Sequence, residues 1–315
     1  MPPLKTIFMG TADLSGTTLS ALLTEPQIGV VAVVTQPDKP KGRNLEAQPS
    51  LVKVLGQQAN VPVLQPPRAR DPEFLAALRP YEPDLIVVAA YGQILPAAIL
   101  ELPKHGCLNV HTSLLPKYRG AAPIQWAIAN GDTETGVTIM KMDMGMDTGP
   151  ILAQRVTGIT PEDDGASLHD RLALLGAELL IATIPGYVAG EILPKPQPLI
   201  GATHAAKIKK EDGQVDWSQP AGIIWNRFRA FTPWPGAFTS WTAGTKVHRL
   251  KIWSAQVVAG NGQPGEILHA GPDGIVVACG ADALCISQLQ REGGRRLAPR
   301  EFLAGHPLLP GEKLW

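Results

Sequence analysis

The stretch KTIFMGTADLSGTTLSALLTEPQIGVVAVVTQ (residues 5–36) contains an apolar run that ends at Gly10, a helical pattern, and a second apolar run rich in valine. Apolar runs of strand length that alternate with helical segments are typical of parallel strands buried on both faces of a sheet. Because this alternation continues to residue 156, the sequence predicts a doubly wound α/β domain with a parallel-rich sheet.

The remaining patterns divide the chain into two parts. Further strand-like runs are VPVLQP (61–66), DLIVVAAYG (84–92), GCLNVHTS (106–113), GVTIMKM (136–142) and GPILAQRV (149–156), and helical patterns cover about 50–60, 72–79, 96–101 and 167–190. Residues 191–206 are polar and rich in proline, as in a linker. From about residue 216, short β-type runs between glycines predict a small, OB-like β-barrel. We therefore expect domains at 1–190 and 207–315.

Composition is that of a soluble globular protein. The 315 residues are 44% hydrophobic and 18% charged, and the formal net charge is zero. The charge is uneven, because residues 1–200 hold 15 Lys+Arg against 19 Asp+Glu, whereas residues 201–315 hold 13 against 9. Six of the seven tryptophans also follow residue 200. A basic half rich in aromatic residues suits a phosphate-bearing partner, and it equally suits a small β domain with indole rings in its core.

Cysteine usage and apolar runs bear on the compartment. Cys107, Cys279 and Cys285 form no CxxC pair, so we expect reduced thiols in a cytoplasmic protein. The first ten residues lack the apolar run of a signal peptide, and we expect no apolar stretch long and uninterrupted enough to cross a bilayer. The sequence therefore predicts neither export nor a membrane.

Several common site motifs are absent from the sequence. Gly10 and Gly16 lie in a strand-to-helix turn, but their spacing fits neither GxGxxG nor GxxxxGK[ST]. The seven histidines include no HExxH or other paired spacing, so we expect no metal. Without a GxSxG elbow, Ser113 is a weak candidate nucleophile and is more typical of a hydrogen-bonding or capping residue.

Two polar side chains lie on one face of the predicted strand CLNVH. Successive residues of a strand point to opposite faces, so Asn109 and His111 share one face, while Leu108 and Val110 share the other. Both polar residues are near the carboxyl end of the strand, where open α/β sheets place their sites. They are either a core pair satisfied by backbone hydrogen bonds or part of a functional site.

A third candidate group lies in the loop MDMGMDTG (142–149). This loop contains Asp143 and Asp147 between two strand-like runs, and an aspartate can fix the tautomer of a histidine. An amide donor, a histidine that carries a proton and an aspartate that orients it are suited to attack on a carbonyl. The sequence contains these groups without determining that they meet.

Several motifs together resemble the methionyl-tRNA formyltransferase family. They are LNVHTSLLPKYRGAAPIQWAI (108–128), GVTIMKMDMGMDTG (136–149) and AFTPWPGAF (230–238), accompanied in family order by FMGT (8–11), TQPDKPKGR (35–43), PSLVKVL (49–55) and VVAAYGQILP (87–96). The resemblance covers nearly the whole chain. It implies a Rossmann-like formyltransferase domain followed by an OB-like domain, with 10-formyltetrahydrofolate as donor and methionine esterified to initiator tRNA as acceptor.

The resemblance also implies roles for particular residues. Asn109, His111 and Asp147 would be catalytic, with Ser113 in support. As the amine attacks the formyl carbon, Asn109 and protonated His111 would stabilise the oxyanion, while Asp147 holds His111 and helps to move the proton. Folate contacts map, largely through backbone atoms, to Val88, Ala89, Ala90, Ile94 and Asp143.

Contacts with tRNA are expected at basic residues in both parts of the chain. Lys41 and Arg43 lie in a loop that resembles the segment approaching the acceptor stem, and Lys207, Lys209 and Lys210 follow the linker. A wider basic track would add Arg227, Arg229, Arg295, Arg296 and Arg300. We expect a monomer that binds no membrane.

Three departures from the family pattern are visible. Ala12 and Leu14 replace the usual Pro and Phe, and Thr112 stands where a smaller residue is usual. Residues 45–47 (Leu, Glu and Ala) stand where bacterial members usually carry lysines. Fewer cations there predict weaker tRNA binding with a shallower salt dependence.

Two other readings remain open at this point. A relative with the same catalytic domain could use another acceptor, either water, as in a 10-formyltetrahydrofolate hydrolase, or a nucleotide-linked amino sugar. Alternatively, the chain could be a non-catalytic RNA- or folate-binding protein on this scaffold. The intact Asn109, His111 and Asp147 argue against the non-catalytic alternative.

Overall fold

The computed structural model describes residues 2–41 and 46–315, which form two compact units. The first unit comprises residues 1–123, 134–158 and 168–206, and the second comprises 124–133, 159–167 and 207–315. The domain boundaries expected from the sequence, at 190 and 207, remain a proposal.

The first unit is built on a seven-stranded sheet. The strands up to residue 205 are β1 (Leu4–Gly10), β2 (Ile28–Val34), β3 (Lys39–Lys41), β4 (Glu46–Gln48), β5 (Val63–Leu64), β6 (Leu85–Ala89), β7 (Cys107–His111), β8 (Arg119–Gly120), β9 (Glu134–Lys141), β10 (Ile151–Gly158) and β11 (His204–Ala205). The helices in this range are α1 (Asp13–Thr24), α2 (Leu51–Gln58), α3 (Pro72–Leu78), α4 (Ala97–Leu100), α5 (Pro123–Ala129) and α6 (Gly165–Val188), of which α5 falls almost wholly in the second unit. The sheet order is β10-β9-β7-β6-β1-β2-β5, and β3·β4 and β8·β11 form two small separate sheets.

Five of the seven strands are parallel, as the apolar runs predict. β1, β2, β5, β6 and β7 pair in parallel, whereas β9 is antiparallel to β7 and to β10. β10 is antiparallel to β9 because the loop 142–150 that joins them contains no crossover helix and returns the chain alongside β9. The strand order reverses at β1, so the carboxyl ends of β1, β6 and β7 lie side by side at a switch point.

Helix α6 corrects one sequence expectation. Among the described residues it is the one helix long enough and apolar enough to cross a membrane by length and composition. In the protein, 44% of its most apolar window is buried, and Leu168, Leu172 and Leu180 are fully buried. Core helices of soluble proteins pass the same test, so α6 is weak evidence for a membrane.

The second unit contains a five-stranded antiparallel sheet. Its elements are α7 (Ala221–Ala230), β12 (Ala237–Ala243), β13 (Lys246–Val258), β14 (Ile267–Gly271), β15 (Gly274–Ala278), β16 (Ala283–Arg291) and α8 (Pro299–Gly305), in the sheet order β12-β13-β16-β15-β14. The last residues of the chain pair with both edges, since Leu314 bridges Trp241 of β12, and Lys313 bridges Glu266 beside β14. Unpaired strand edges are thereby covered, as in a small barrel.

Candidate active site

Strand β7 places Asn109 and His111 at the carboxyl end of the sheet. Asn109 lies between Val88 of β6 and Met140 of β9, and His111 is the last residue of the strand. Their side chains are 9% and 6% exposed. Buried polar side chains need partners, and most of those partners come from residues outside the strand.

Asp147 meets both side chains. Its Oδ1 lies 3.4 Å from Nδ2 of Asn109, and its Oδ2 lies 3.7 Å from Nδ1 of His111. The backbone N–H of Gly120 donates to Oδ2 at 2.8 Å and fixes the carboxylate. The backbone of Asp147 has a φ of 52°, a left-handed conformation that aspartate tolerates better than most residues. We call Asn109, His111 and Asp147 the trio.

The hydrogen bond at the other ring nitrogen decides the tautomer of His111. Nε2 lies 2.9 Å from the carbonyl oxygen of Tyr118. A carbonyl only accepts hydrogen bonds, so Nε2 carries the proton in the neutral ring. Nδ1 is therefore the nitrogen that can take up or release a proton, and it is the one that faces Asp147. Once Nδ1 is protonated, His111 and Asp147 form an ion pair.

Ser113 supports the loop that supplies Tyr118. It is fully buried, and its hydroxyl donates to the carbonyl of Lys117 at 2.6 Å. Its own carbonyl accepts from the hydroxyl of Thr138 at 2.7 Å. These bonds close the turn that follows β7, as expected of a hydrogen-bonding residue.

A cavity of about 520 Å³ opens beside the trio. All three members of the trio line it, together with the predicted folate residues Val88, Ala90, Ile94 and Asp143. The predicted folate residue Ala89 is not among its lining residues: the side chain is fully buried, and the carbonyl accepts from the Ser15 hydroxyl at 2.6 Å.

The wall of the cavity is predominantly apolar. Ile94, Met144 and Met146 are more than half exposed although they are large apolar residues, which is typical of a surface that covers a ligand. Tyr91 also lines the cavity; burial raises the pKa of its phenol to about 12, so it stays neutral at physiological pH. Asp143 is exposed, and its carboxylate accepts from the Gly145 N–H and the Thr148 hydroxyl, which shapes the loop.

Sequence reasoning missed several residues of the site. Tyr118 and Gly120 bond to His111 and Asp147 through backbone atoms, so their side-chain types carry no direct signal. Gly120 lies in a quoted motif, and its φ of 120° is one that favours glycine. Leu14 and Thr112, which depart from the family pattern, also line the cavity.

The basic residues that we expect to contact tRNA differ in their surroundings. Arg43 lies outside the described residues, and Lys41 is the last residue of β3. Lys207, Lys209 and Lys210 are exposed. Of the wider track, Arg227 donates to the carbonyl of Asp212 at 3.1 Å, Arg295 and Arg300 are exposed, and the Arg296 guanidinium lies 3.8 Å from the ring centroid of Trp253.

Arg229 does not belong to a surface track. It is 9% exposed and donates to the carbonyls of Thr160, Pro161 and Asp163 at 2.8–3.3 Å, with a further bond to the Asn226 side chain. Burial lowers the pKa of its guanidinium. The arginine therefore holds backbone carbonyls of the second unit.

Residues 2–41 and 46–315 contain no group of three or more His, Cys, Asp or Glu side chains that could hold a metal ion.

Comparison with known proteins identifies the class. Residues 4–184 match the formyl transferase family, and residues 207–307 match the formyl transferase C-terminal domain. The chain therefore belongs to the formyl transferase family, which confirms the resemblance found in the sequence and the predicted fold class.

Individual relatives narrow the class. The methionyl-tRNA formyltransferase of Myxococcus xanthus (strain DK1622) is 52% identical over 308 residues, which are 98% of this chain and 96% of that protein. The methionyl-tRNA formyltransferase of Geobacter metallireducens (strain ATCC 53774 / DSM 7210 / GS-15) is 49% identical over 314 residues, 100% of this chain and 99% of the relative.

Among solved structures, the N-formyltransferase from Helicobacter canadensis in complex with folinic acid and dTDP-3-aminofucose superimposes with a TM-score of 0.65. It is 18% identical and covers 90% of this chain and 98% of its own. At this identity the likeness shows the fold alone.

Proposed function

We propose that this protein transfers the formyl group of 10-formyltetrahydrofolate to the α-amino group of methionine on initiator tRNA, for translation initiation. The observation that carries the proposal is the meeting of Asn109, His111 and Asp147 at the cavity. The full-length relatives at about half identity are methionyl-tRNA formyltransferases, and this supports methionyl-tRNA as the acceptor. The match of the C-terminal part to the formyl transferase C-terminal domain supports the same acceptor.

The trio suits formyl transfer to an amine. Attack of the amine forms a bond to the formyl carbon, places negative charge on the formyl oxygen and makes the attacking nitrogen acidic. When this intermediate collapses, the bond between the formyl carbon and N10 of the donor breaks, and N10 takes up the proton as tetrahydrofolate leaves. One N–H of the Asn109 amide points to Asp147, and the other is available to donate to the oxygen. Nδ1 of His111 and the carboxylate of Asp147 lie 3.7 Å apart and can hold the proton that leaves the amine.

The cavity fits the donor. Members of the family use 10-formyltetrahydrofolate, whose flat pterin suits apolar walls with a few placed polar groups. Val88 and Ile94 supply apolar surface, and Ala90 offers backbone atoms in a left-handed conformation with a φ of 43°. The donor residues predicted from the sequence, Ala89 among them, thus remain a proposal.

We assign the steps of the reaction to the two proposed domains. We assign donor binding and chemistry to residues 1–190, and RNA contacts to the exposed lysines Lys207, Lys209 and Lys210 at the start of residues 207–315. The segment 191–206 joins the two domains. We further infer that the protein acts as a monomer in the cytoplasm, where initiator tRNA is charged; light scattering should give the mass of a single chain.

A formylation assay with a matched histidine control tests the function. We expect purified wild-type protein, 10-formyltetrahydrofolate and charged initiator tRNA to yield formyl-methionyl-tRNA. His111→Ala should reduce kcat/KM by about a hundredfold or more. His169→Ala is the control, because His169 of α6 contacts Asp170 and does not line the cavity, and it should stay within about twofold.

Two results would contradict the proposal. Equal turnover by His111→Ala and wild type would remove His111 from the mechanism. Release of formate without formyl-methionyl-tRNA would favour a hydrolase.

A further inference from the structure

We propose that residues 197–205, here called the strap, form a positioning element of the catalytic site, with Gln197 and Thr203 as its positioning residues. The sequence reads as part of a linker, yet its polar contacts converge on the groups that hold the trio. The inference rests on the proposed function and deepens it.

Gln197 holds the loop that carries Asp147. Its Nε2 donates to the carbonyls of Asp147 and Gly149, both at 2.8 Å. Its Oε1 accepts from Nε and Nη2 of Arg119 at 3.1 and 2.6 Å. All four hydrogen-bonding positions of the amide are used, so only one orientation of the amide fits.

Thr203 forms hydrogen bonds to the backbone of Tyr118 and Arg119. Its hydroxyl accepts from the N–H of Tyr118 at 2.8 Å, and its carbonyl accepts from the N–H of Arg119 at 2.9 Å. Two residues later, the carbonyl of Ala205 accepts from the N–H of Ala121 at 2.9 Å. These bonds extend the short parallel pairing of β8 with β11.

The segment 118–121 that the strap holds supplies partners to two members of the trio. The Tyr118 carbonyl accepts from His111, and the Gly120 N–H donates to Asp147. Gly120 also lets the strap approach closely, since a Cβ there would lie 2.6 Å from the carbonyl oxygen of Ala205. The strap thus fixes Asp147 through its backbone carbonyl and through the partner of its carboxylate.

Apolar burial explains only one end of the strap, where Ala205 is fully buried. Leu199 is 100% exposed and Ile200 is 89% exposed. A segment that merely completed the core would bury such side chains. Between Gln197 and Thr203 the strap is held to the first unit by hydrogen bonds, which end at Asp147, at Gly149 and at the segment 118–119.

Gln197→Glu tests one end of the strap. The carboxylate keeps an acceptor for Arg119 but replaces the two donors to Asp147 and Gly149 with an oxygen that repels their carbonyls. We expect kcat for formylation to fall about tenfold to a hundredfold, because a small misplacement of catalytic groups has effects of that size. KM for methionyl-tRNA and the Tm should change little. Gln58→Glu, at an exposed position at the end of α2, is the matched control.

Thr203→Val and Thr203→Ser test the other end. Valine has the shape of threonine without the oxygen that accepts from Tyr118, whereas serine keeps the oxygen. We expect Thr203→Val to lower kcat several-fold and Thr203→Ser to retain most of it. If Gln197→Glu does not fold, the comparison of Thr203→Val with Thr203→Ser still tests whether the strap positions the trio.

Two outcomes would overturn the proposal. One is kcat within twofold of wild type for both Gln197→Glu and Thr203→Val. The other is a loss of kcat that accompanies a loss of Tm, or a loss of kcat that Thr203→Ser shows as well. Either result would mean that the strap has a role in folding alone. Wild-type formation of formyl-methionyl-tRNA tests the proposed function separately, and if the wild type releases formate instead, the variants are compared on formate release.

Discussion

Asn109 and His111 share a face of β7 because side chains of a strand alternate, and both belong to the site because that strand ends at the sheet's switch point. Their neighbours on the other face, Leu108 and Val110, are buried as core residues. At the scale of the residue, local periodicity therefore predicts which side chains of the strand face the site. The partner Asp147 comes from 38 residues away, and no local pattern predicts that distance.

Asn109→Ala tests the oxyanion donor. Alanine removes the amide that can donate to the formyl oxygen, and loss of one such donor costs on the order of a hundredfold in kcat. We expect that loss in steady-state formylation, with little change in Tm. Asn261→Ala, at an exposed position of a loop in the second unit, should behave like wild type. A loss of less than threefold for Asn109→Ala would exclude a role in stabilising charge.

Gly120→Ala tests the close approach of the backbone. The φ of 120° is strained for any residue with a Cβ, and that Cβ would clash with Ala205. We expect a lower Tm and at least a tenfold lower kcat, because the N–H that holds Asp147 shifts. Gly222→Ala is the control, since nothing lies within 4 Å of a Cβ there and the position is helical in α7. Normal activity in Gly120→Ala would contradict the assigned role of its N–H.

At the scale of the element, the strands of the seven-stranded and five-stranded sheets and helices α1 to α4 and α6 lie where the patterns predict, within a few residues, whereas the short strands β3, β4, β8 and β11 were not predicted. The sequence patterns did not reveal α5, α7 and α8. These helices are 7 to 10 residues long and offer few turns for a helical period, although α3 and α4 are no longer and the patterns did predict them. The antiparallel pairing of β9 with β10 follows from the short loop that joins them and not from their composition.

Arg229→Met tests the packing of α7. The substitution removes the guanidinium that donates to the carbonyls of Thr160, Pro161 and Asp163, of which the Thr160 carbonyl keeps the N–H of Asp163 as a donor. Of the three residues, Asp163 is buried, whereas Thr160 and Pro161 are exposed. A buried acceptor without a partner costs about 1–3 kcal/mol, so we expect a loss of about 1–3 kcal/mol, seen as a Tm lower by several degrees. Arg300→Met, exposed on α8, should leave the Tm within about a degree. Equal effects of the two substitutions would refute a structural role for Arg229.

At the scale of the whole molecule, charge is divided between the two parts of the chain, with the excess of Lys and Arg after residue 200. This division predicts that the second part contributes to RNA binding through phosphate contacts. The exposed cluster of Lys207, Lys209 and Lys210 is the part of it that directly follows the strap.

The variant that changes Lys207, Lys209 and Lys210 to glutamine tests this contribution. We expect log kcat/KM for methionyl-tRNA to fall less steeply with log salt, with a slope shallower by about one for each phosphate that these lysines neutralise, while kcat at saturating tRNA stays the same. A control with Lys104, Lys195 and Lys246 changed to glutamine removes the same charge at other exposed positions. If the control flattens the salt dependence equally, net charge and not this cluster governs binding.

The sequence by itself determined the class of both domains, the order of their strands along the chain and the face that presents Asn109 and His111. These properties depend on local periodicity, and the motifs also pointed to the correct family. Only the tertiary structure decided that Asp147 reaches this face, that the carbonyl of the buried Ala89 is bonded to Ser15, that Arg229 is buried and that the apparent linker braces the site. Those contacts join segments distant in sequence, so they depend on the path of the folded chain, which no local pattern encodes.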